Sequence, residues 1–300
     1  MVLITEVSLR DGLQIEPVVV PTEAKIRFGR RLVAAGFTSL EVGAFVNPAR
    51  VPTMADTAEV LAGLGDQRAD CHTLVLNERG AERAVAAGAR RVRLVMSASE
   101  GHSKANSGAD TGEVMRRLAA AAAVLREAGI RMEGCVATAF VCPFDGDTPV
   151  ERVVRVARHY ADLGVEVLHL ADTIGAASPG DVTRALDAVG EVFPIERIGL
   201  HLHNTYGMAA ANAWVAYERG VRRFDAALGG LGGCPFAPGA TGNVAADDLI
   251  HLFHREGVDT GIDVTRLPAL RDELAELVGH ALPSALAAVP AAPAPVRSRS

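Results

Sequence analysis

The chain has 300 residues, of which 49% are hydrophobic and 4% aromatic, and its formal net charge is −6. A mildly acidic chain with so few aromatic residues lacks both the basic surface and the stacking side chains that nucleic acids or anionic membranes require. Its length suits two average domains or one α/β barrel of about 250 residues.

Targeting and redox signals are also absent from the sequence. No apolar run approaches the roughly 18 residues of a membrane-spanning helix, and the amino terminus begins a strand pattern instead of a signal peptide. The cysteines Cys71, Cys135, Cys142 and Cys234 are far apart and form no Cys-x-x-Cys pair. Widely spaced cysteines favour free thiols over disulfides or structural zinc. We therefore expect a cytoplasmic protein without a membrane segment.

A helical run, a glycine and a β-branched strand follow one another repeatedly along the chain. Glycines that could end these helices in the left-handed conformation are Gly36, Gly65, Gly88, Gly129, Gly164, Gly190, Gly220 and Gly257. The predicted strands are Leu3–Leu9, Ser39–Phe45, Asp70–Leu76, Arg91–Ser97, Arg131–Phe140, Glu166–Asp172, Arg197–Asn204 and Arg222–Leu228. Eight strands alternating with eight helices predict an α/β fold, a (β/α)8 TIM barrel.

The predicted barrel domain spans residues 1–282 and includes a short helical extension at its carboxyl end. Residues 263–280 predict one or two helices packed outside the barrel. Residues 283–300 are rich in proline and alanine, and we expect roughly the last ten to be disordered. An open doubly wound sheet is the alternative fold, but its glycine fingerprint is missing between the first strand and the first helix.

Reactive residue types fall at the carboxyl ends of the predicted strands, which is where barrels carry their active sites. Arg10 and Asp11 end the first strand, Glu41 lies in the second, and His201 and His203 lie in the seventh. Because His201 and His203 are two residues apart, their side chains point to the same face of the strand.

Barrel closure brings the first strand next to the eighth, so Asp11 should approach the two histidines. Asn243 could add a carbonyl oxygen, and two imidazoles with two oxygen donors suit Mg²⁺ or Mn²⁺. The histidines tilt this choice slightly towards Mn²⁺ or another transition metal. The alternative is that His201 and His203 are unrelated polar residues near a strand end.

The eighth strand runs into a glycine-rich segment, residues 229–243, that contains the single thiol of Cys234. Glycines allow close backbone approaches that other residues forbid. Ordering such a segment costs conformational entropy, so we expect a functional loop and not a connector.

Two cationic side chains could bind an anionic substrate. Arg10 would diverge from Asp11 on a regular strand, but a break at Gly12 would let both enter the site, where an arginine can stabilise an enolate. A surface salt bridge is the alternative. The segment 97–106 predicts a polar loop after the fourth strand, and its Lys104 could hold a carboxylate or phosphate unless the loop is merely solvated.

Five segments together resemble the 3-hydroxy-3-methylglutaryl-CoA lyase family of metal-dependent TIM-barrel lyases. They are Glu6–Glu16, Ala98–Glu100, Asp172–Gly175, His201–Gly207 and Gly230–Asn243. The resemblance covers about residues 2–282. The Arg-Asp-Gly and His-x-His pieces are shared with the isopropylmalate and homocitrate synthases, whereas the cysteine loop is more specific to the lyases.

The resemblance implies a role for each matching residue. The metal ligands would be Asp11, His201, His203 and Asn243. Arg10 would sit against the reacting oxygens, Glu41 would shape the acid–base network beside it, and Cys234 would be the proton donor. The substrate would be bound by Arg10, Gln14, Lys104, Asn106, Thr173 and His169.

The implied reaction is a retro-Claisen cleavage of 3-hydroxy-3-methylglutaryl-CoA to acetyl-CoA and acetoacetate. The base would be His201, Asp11 or a bound water. The family resemblance also implies an acyl-CoA substrate, a homodimer or higher homo-oligomer, and a part in leucine degradation or ketone-body formation.

Three residues depart from the lyase pattern. Ala44 and His169 stand where the family has serines, and Asn204 stands where it has an aspartate. A related 3-hydroxyacyl-CoA with a different branch is therefore a further candidate substrate, although His169 could instead be buried and satisfied by a neighbour. The other functions considered are a Claisen-type condensing enzyme, an aldolase of 4-hydroxy-2-oxo acids and a non-catalytic acyl-CoA-binding barrel.

Overall fold

The computed structural model describes residues 1–65, 68–233 and 242–289. The strands of this part are β1 (Leu3–Glu6), β2 (Ser39–Ala44), β3 (Asp70–Val75), β4 (Arg91–Ser97), β5 (Arg131–Ala137), β6 (Val141–Cys142), β7 (Gly146–Asp147), β8 (Val167–Asp172), β9 (Ile198–Leu202) and β10 (Arg223–Ala226). Eight of them close into a parallel barrel in the order β1-β10-β9-β8-β5-β4-β3-β2, and β6 and β7 form a small hairpin. The predicted TIM barrel is confirmed and the open sheet is excluded.

Helices surround the barrel. Within the described residues they are α1 (Thr22–Ala34), α2 (Thr57–Leu64), α3 (Glu78–Ala86), α4 (Glu100–Ser107), α5 (Thr111–Glu127), α6 (Val150–Asp162), α7 (Pro179–Val189), α8 (Ala209–Glu218), α9 (Ala246–Arg255) and α10 (Leu267–Val278). Helix α10 is the predicted extension outside the barrel. None of the helices in this part is both long and apolar enough to cross a membrane.

Local sequence signals explain where several helices begin. Asn77 and Asp110 cap α3 and α5 by accepting hydrogen bonds from backbone N–H groups three residues on. Ser178 and Asp181 form a capping box at α7, and Pro179 occupies its first position, as expected for a residue whose φ angle is already helical.

The predicted left-handed helix ends are correct at six glycines, namely Gly36, Gly88, Gly129, Gly164, Gly220 and Gly257. The prediction is wrong for Gly65 (φ −65°) and Gly190 (φ −58°), which end α2 and α7 in the right-handed conformation. After Gly190 the chain keeps turning, because Val192 and Phe193 both donate to the Val189 carbonyl.

Several predicted strands are too long. β1 ends at Glu6, three residues before the predicted Leu9, because residues 8–12 form a helical turn. β5 ends at Ala137, since Thr138 has a φ of 51° that interrupts the strand. The segment after β4 is a helix and not a loop.

Helix α4 forms there because its two ends are capped. The Ser99 hydroxyl accepts a hydrogen bond from the His102 N–H, and Gly108 ends the helix in the left-handed conformation. Lys104 therefore lies on a helix, in its last turn.

The barrel interior is unusually polar. The interior of a TIM barrel is normally filled by branched apolar side chains. Here five ionisable residues on different strands are each 4% exposed or less and contact one another across the interior: Glu41, Arg93, Glu133, His169 and Asp225. The apolar core lies instead between the barrel and its helices, as with Phe28, Leu32 and Leu64.

Candidate active site

Asp11, His201 and His203 meet at the carboxyl end of the barrel. One oxygen or nitrogen from each of them lies within 4.8 Å of the others. The Nε2 atoms of His201 and His203 are 3.3 Å apart, and Asp11 Oδ2 lies 3.9 Å and 3.7 Å from them. Two imidazole nitrogens and a carboxylate oxygen that converge in this way could hold a metal ion.

A helical turn, not a break at Gly12, brings Arg10 and Asp11 to the same place. Residues 8–12 leave β1 and wind into this turn. Successive side chains on a helix are about 100° apart rather than on opposite faces. Both side chains therefore reach the barrel mouth.

Asn243 lies beside the same cluster. It forms an antiparallel bridge with His203, and its Nδ2 donates to Asp11 Oδ2 (2.8 Å) and to the Leu231 carbonyl (3.0 Å). Its Oδ1 is buried and has no hydrogen-bond partner among the described residues. Such an unpaired acceptor is rare in folded proteins. An amide oxygen next to two imidazoles and a carboxylate fits a divalent cation.

Asp225 orients one of the two histidines. His201 Nδ1 lies 3.1 Å from Asp225 Oδ2, which leaves Nε2 directed at Asp11 and His203. A carboxylate on the far nitrogen of a histidine fixes its tautomer and its ring orientation. Burial opposes ionisation of Asp225, but Arg93 and the histidines outweigh it and hold the pKa of that carboxyl below its usual range.

Arg10 is held between two carboxylates. Its Nε donates to Glu41 Oε2 at 2.5 Å, and its Nη1 pairs with Asp11. Burial works against the charge of Arg10, but Asp11 and Glu41 raise its pKa above the ordinary value. Burial likewise opposes the charge of Asp11, yet Arg10 and His203 hold the pKa of Asp11 well below its usual range. Both groups are therefore charged across the physiological range.

A cavity of about 950 Å³ opens above these residues. Arg10, Gln14, Asn106 and Thr173 line it together with Asp11, His201 and His203. Lys104 is not one of the described residues that line the cavity, and its side chain is exposed on α4.

His169 lies outside the cavity wall. It is 2% exposed inside the barrel, where its Nε2 is 3.1 Å from Arg93 Nη2. Gly199 makes room for it, because a Cβ atom there would lie 2.7 Å from the imidazole. Ala44 is fully buried and does not line the cavity either. Ala44 and His169, two of the departures from the lyase pattern, thus do not touch the cavity. The third departure, Asn204, accepts a hydrogen bond from the Ala209 N–H at the start of α8.

Cys234 lies outside the described residues, but the start of its segment is well held. Gly233 lines the cavity. Gly229 donates to Asp247 Oδ1 (2.9 Å) and accepts from the Ser284 N–H (2.9 Å). A Cβ atom at Gly229 would lie 2.4 Å from Leu282. The segment after α10 is therefore packed against the beginning of the glycine-rich segment.

Four arginines at the cavity wall were not anticipated. Among the described residues that line the cavity, Arg50, Arg79, Arg83 and Arg117 join Arg10, and Asp11 is the only acid. The side chains of Arg50 and Arg79 are exposed and have no ion-pair or hydrogen-bond partner in the described part of the chain. The wall is thus cationic in a chain of net charge −6. The excess of arginine over lysine hinted at this, but not where the arginines would gather.

Asp225 and Arg93 were also missed by sequence reasoning. Each is a charged residue on a β-strand with an apolar residue on either side of it. Alternation on the strand could have marked them as facing inwards. The interior of a TIM barrel is normally apolar, so alternation alone is a weak signal for charged residues there.

Comparisons with known proteins agree with this geometry. A family model described as HMGL-like matches residues 1–274. An (R)-citramalyl-CoA lyase from Chloroflexus aurantiacus is 43% identical, over 94% of this chain and 93% of the relative. A hydroxymethylglutaryl-CoA lyase from Bacillus subtilis is 36% identical, over 94% and 95%. The solved structure of an HMG-CoA lyase from Acinetobacter baumannii, in complex with coenzyme A and 3-methylmalate, has a TM-score of 0.92 and 41% identity and covers 98% of both chains.

Proposed function

Since this chain belongs to the HMGL-like family and is an enzyme of the hydroxymethylglutaryl-CoA lyase type, we propose that it is a metal-dependent lyase of branched 3-hydroxyacyl-CoA thioesters. The bond cleaved joins the hydroxyl-bearing carbon to the CH₂ next to the thioester. The observation that carries the proposal is the Asp11, His201 and His203 cluster with Arg10 beside it, at the bottom of an arginine-lined cavity.

The proposed ion is Mg²⁺ or Mn²⁺. Asp11, His201, His203 and the amide oxygen of Asn243 would hold it. When bound, it supplies a positive charge that lowers the pKa of the substrate hydroxyl and stabilises negative charge on the substrate oxygens.

The chain's own residues would carry the remaining steps. Asp11 or a bound water takes the hydroxyl proton, because His201 would have one ring nitrogen on the ion and the other on Asp225. The carbon–carbon bond then breaks with its electron pair moving into the thioester as an enolate. Arg10, fixed by Glu41, donates hydrogen bonds to the developing negative charge. Cys234 protonates the CH₂ carbon and so completes acetyl-CoA.

The cavity wall suits an acyl-CoA. Gln14, Asn106 and Thr173 offer polar groups near the acyl end. The arginines of the rim match the phosphates of coenzyme A, which arginine binds well because of its planar, bidentate guanidinium. Lys104, exposed near Asn106 on α4, would contact the coenzyme A or acyl part of the ligand. We propose no substrate contact for His169, because it lies in the ion-pair network below the site.

The first candidate substrate is 3-hydroxy-3-methylglutaryl-CoA, which would give acetyl-CoA and acetoacetate. The second is (R)-citramalyl-CoA, which has one methylene fewer and would give acetyl-CoA and pyruvate. Two observations favour the second candidate. The citramalyl-CoA lyase has the higher identity of the relatives named above. The ligand 3-methylmalate in the related solved structure is an isomer of citramalate.

Acetyl-CoA release from each thioester tests the proposal, with Mn²⁺ or Mg²⁺ present and then with EDTA. We expect release that EDTA abolishes and that His203→Ala and Cys234→Ala lower by at least about a hundredfold. The ratio of kcat/KM for the two thioesters identifies the substrate. If the protein binds Mn²⁺ but cleaves neither thioester, the substrate assignment is wrong. If instead it condenses acetyl-CoA with a 2-oxo acid, the synthase alternative is correct.

We also propose, from the family resemblance alone, that the enzyme is a cytoplasmic homodimer or higher homo-oligomer. Sedimentation of the full chain at micromolar concentration measures its assembly state directly.

A further inference from the structure

The barrel interior contains a fully buried guanidinium directly below the proposed metal site. Arg93 on β4 is 0% exposed. Its Nη1 donates to Asp225 Oδ2 at 2.5 Å, and its Nη2 donates to Glu133 Oε2 at 3.0 Å. A buried charge is retained only when its partners compensate for the lost hydration. Arg93 therefore depends on its carboxylate neighbours, and they depend on it.

Two of those neighbours reach the site itself. The Asp225 oxygen that accepts from Arg93 also faces His201 Nδ1 at 3.1 Å. Glu41 uses Oε2 to hold Arg10, while its Oε1 lies 3.8 Å from Arg93 Nη1. Arg93 thus lies between the carboxylate that orients His201 and the carboxylate that holds Arg10.

The charges of this region fit that arrangement. Asp11, Glu41, Glu133 and Asp225 are paired with Arg10, Arg93 and, at Glu133, also Arg91, so these carboxylates outnumber the arginines that pair with them. Without Arg93, Glu41 and Asp225 would face each other across the interior with no positive charge between them. At low effective dielectric such repulsion is strong, and the two side chains would separate or take up protons.

We propose that Arg93 is a positioning residue for the metal site. It holds Asp225 and Glu41 in the orientations that present His201 Nε2 and the Arg10 guanidinium to the barrel mouth. The inference rests on the proposed function only in assuming that a divalent ion binds at Asp11, His201 and His203. It goes beyond that function because Arg93 contacts neither the cavity nor the cluster.

Metal binding without substrate provides the test. The Mn²⁺ dissociation constant is measured by calorimetry, and the visible spectrum of the Co²⁺-loaded protein reports the coordination geometry. We expect Arg93→Met to weaken Mn²⁺ binding by about 10- to 100-fold, the range seen when the carboxylate behind a ligating histidine is lost. We also expect its Co²⁺ spectrum to change.

Two further variants separate positioning from simple stability. Arg93→Lys keeps the charge but lacks the planar fork that donates to Asp225 and Glu133 at once, so we expect binding weakened by about three- to tenfold. Glu133→Gln removes a charge but keeps an oxygen that can accept from Arg93 Nη2, and no hydrogen bond or ion pair joins Glu133 to Arg10 or His201 in the described part of the chain. We therefore expect Mn²⁺ binding within about threefold of the wild type. If Arg93→Met does not fold, the Mn²⁺ affinity of Arg93→Lys compared with that of Glu133→Gln tests the inference.

A purely structural role gives a different result. Arg93→Met or Arg93→Lys would then lower the melting temperature of the metal-free protein but leave the Mn²⁺ affinity and the Co²⁺ spectrum of the folded protein unchanged, and the inference would be overturned. A wild type that binds no Mn²⁺ would overturn the metal-dependent function as well. Normal binding by the variants with normal cleavage by the wild type would overturn the Arg93 inference alone.

Discussion

Glu6 shows how strongly burial acts on a single side chain in this protein. It is fully buried at the end of β1, where Ser8 and the Leu228 N–H donate hydrogen bonds to it. Burial raises the pKa of Glu6 to about 7, although those hydrogen bonds oppose the shift. The folded protein therefore keeps a proton on Glu6 at pH values where the unfolded chain has lost it.

Glu6→Gln should consequently change the pH dependence of stability. A raised folded pKa means that the folded state binds more protons than the unfolded state between about pH 4.5 and 7, so the wild type loses stability as the pH rises through this range. A shift of that size corresponds to about 3 kcal/mol. We expect the unfolding free energy of Glu6→Gln, relative to the wild type, to rise by about that amount from pH 4.5 to 8.

Urea unfolding in EDTA at a series of pH values measures this difference. The control is Glu82→Gln, which removes an exposed carboxyl on α3 and should give a curve parallel to the wild type. If the plot of unfolding free energy against pH for Glu6→Gln is also parallel to that of the wild type, Glu6 is ionised in the folded state, where its three hydrogen-bond donors hold it.

At the scale of elements, α3 and α5 form one wall of the cavity. Arg79 and Arg83 lie four residues apart and so share a face of α3, and Arg117 extends from α5. Arg83 donates to the Val46 carbonyl and Arg117 to Glu113. Arg79 has no such partner among the described residues, so it is the cation of this wall that is most available to a ligand.

Arg79→Ala is expected to raise KM for the CoA thioester about tenfold, the effect of losing one charged hydrogen bond to phosphate. KM for the same acyl group on N-acetylcysteamine, which has no phosphate, should stay unchanged. Steady-state kinetics with both thioesters measures the two effects separately.

Arg90→Ala is the matched control, because Arg90 is exposed just before β4, at the opposite end of the barrel. It should affect neither KM. Equal increases for both thioesters in Arg79→Ala would place Arg79 near the acyl group and not near the phosphates.

At the scale of the whole molecule, the ion-pair network joins distant parts of the chain. Asp11, Arg93, His201 and Asp225 come from four different strands or strand ends, and the carboxylates of the network outnumber the arginines that pair with them. A cation that binds the folded barrel and not the unfolded chain must stabilise the whole fold by mass action.

Mn²⁺ should therefore raise the melting temperature. At a hundred times the dissociation constant, binding contributes about 2.7 kcal/mol, which for a protein of this size is an increase of about 5 °C. Differential scanning fluorimetry in EDTA and in Mn²⁺ measures it. His203→Ala should lose the increase, while His251→Ala, an exposed histidine on α9, should keep it. A full increase in His203→Ala would mean that the ion binds elsewhere.

Much of this protein could be predicted from sequence because the signals are local. The glycines that follow helices and the β-branched residues of the strands predicted that helices and strands alternate. This alternation predicted the barrel, since such elements pack into only a few folds. The His-x-His spacing placed two imidazoles on one face of a strand. Strand ends were less certain. The turn at residues 8–12 is held by contacts with a distant part of the chain, since Val7 donates to the Ala226 carbonyl and Ser8 Oγ accepts from the Leu228 N–H.

The sequence by itself thus determined the fold class and several residues that gather at the barrel mouth, but not the arginines of the cavity wall. Only the tertiary structure showed how they are held. Arg93 and Asp225 are 132 residues apart yet pair inside the barrel, and no local pattern indicates that contact. The reason is physical: the free energy of a buried charge depends on which groups surround it, and closure of the barrel decides which groups those are.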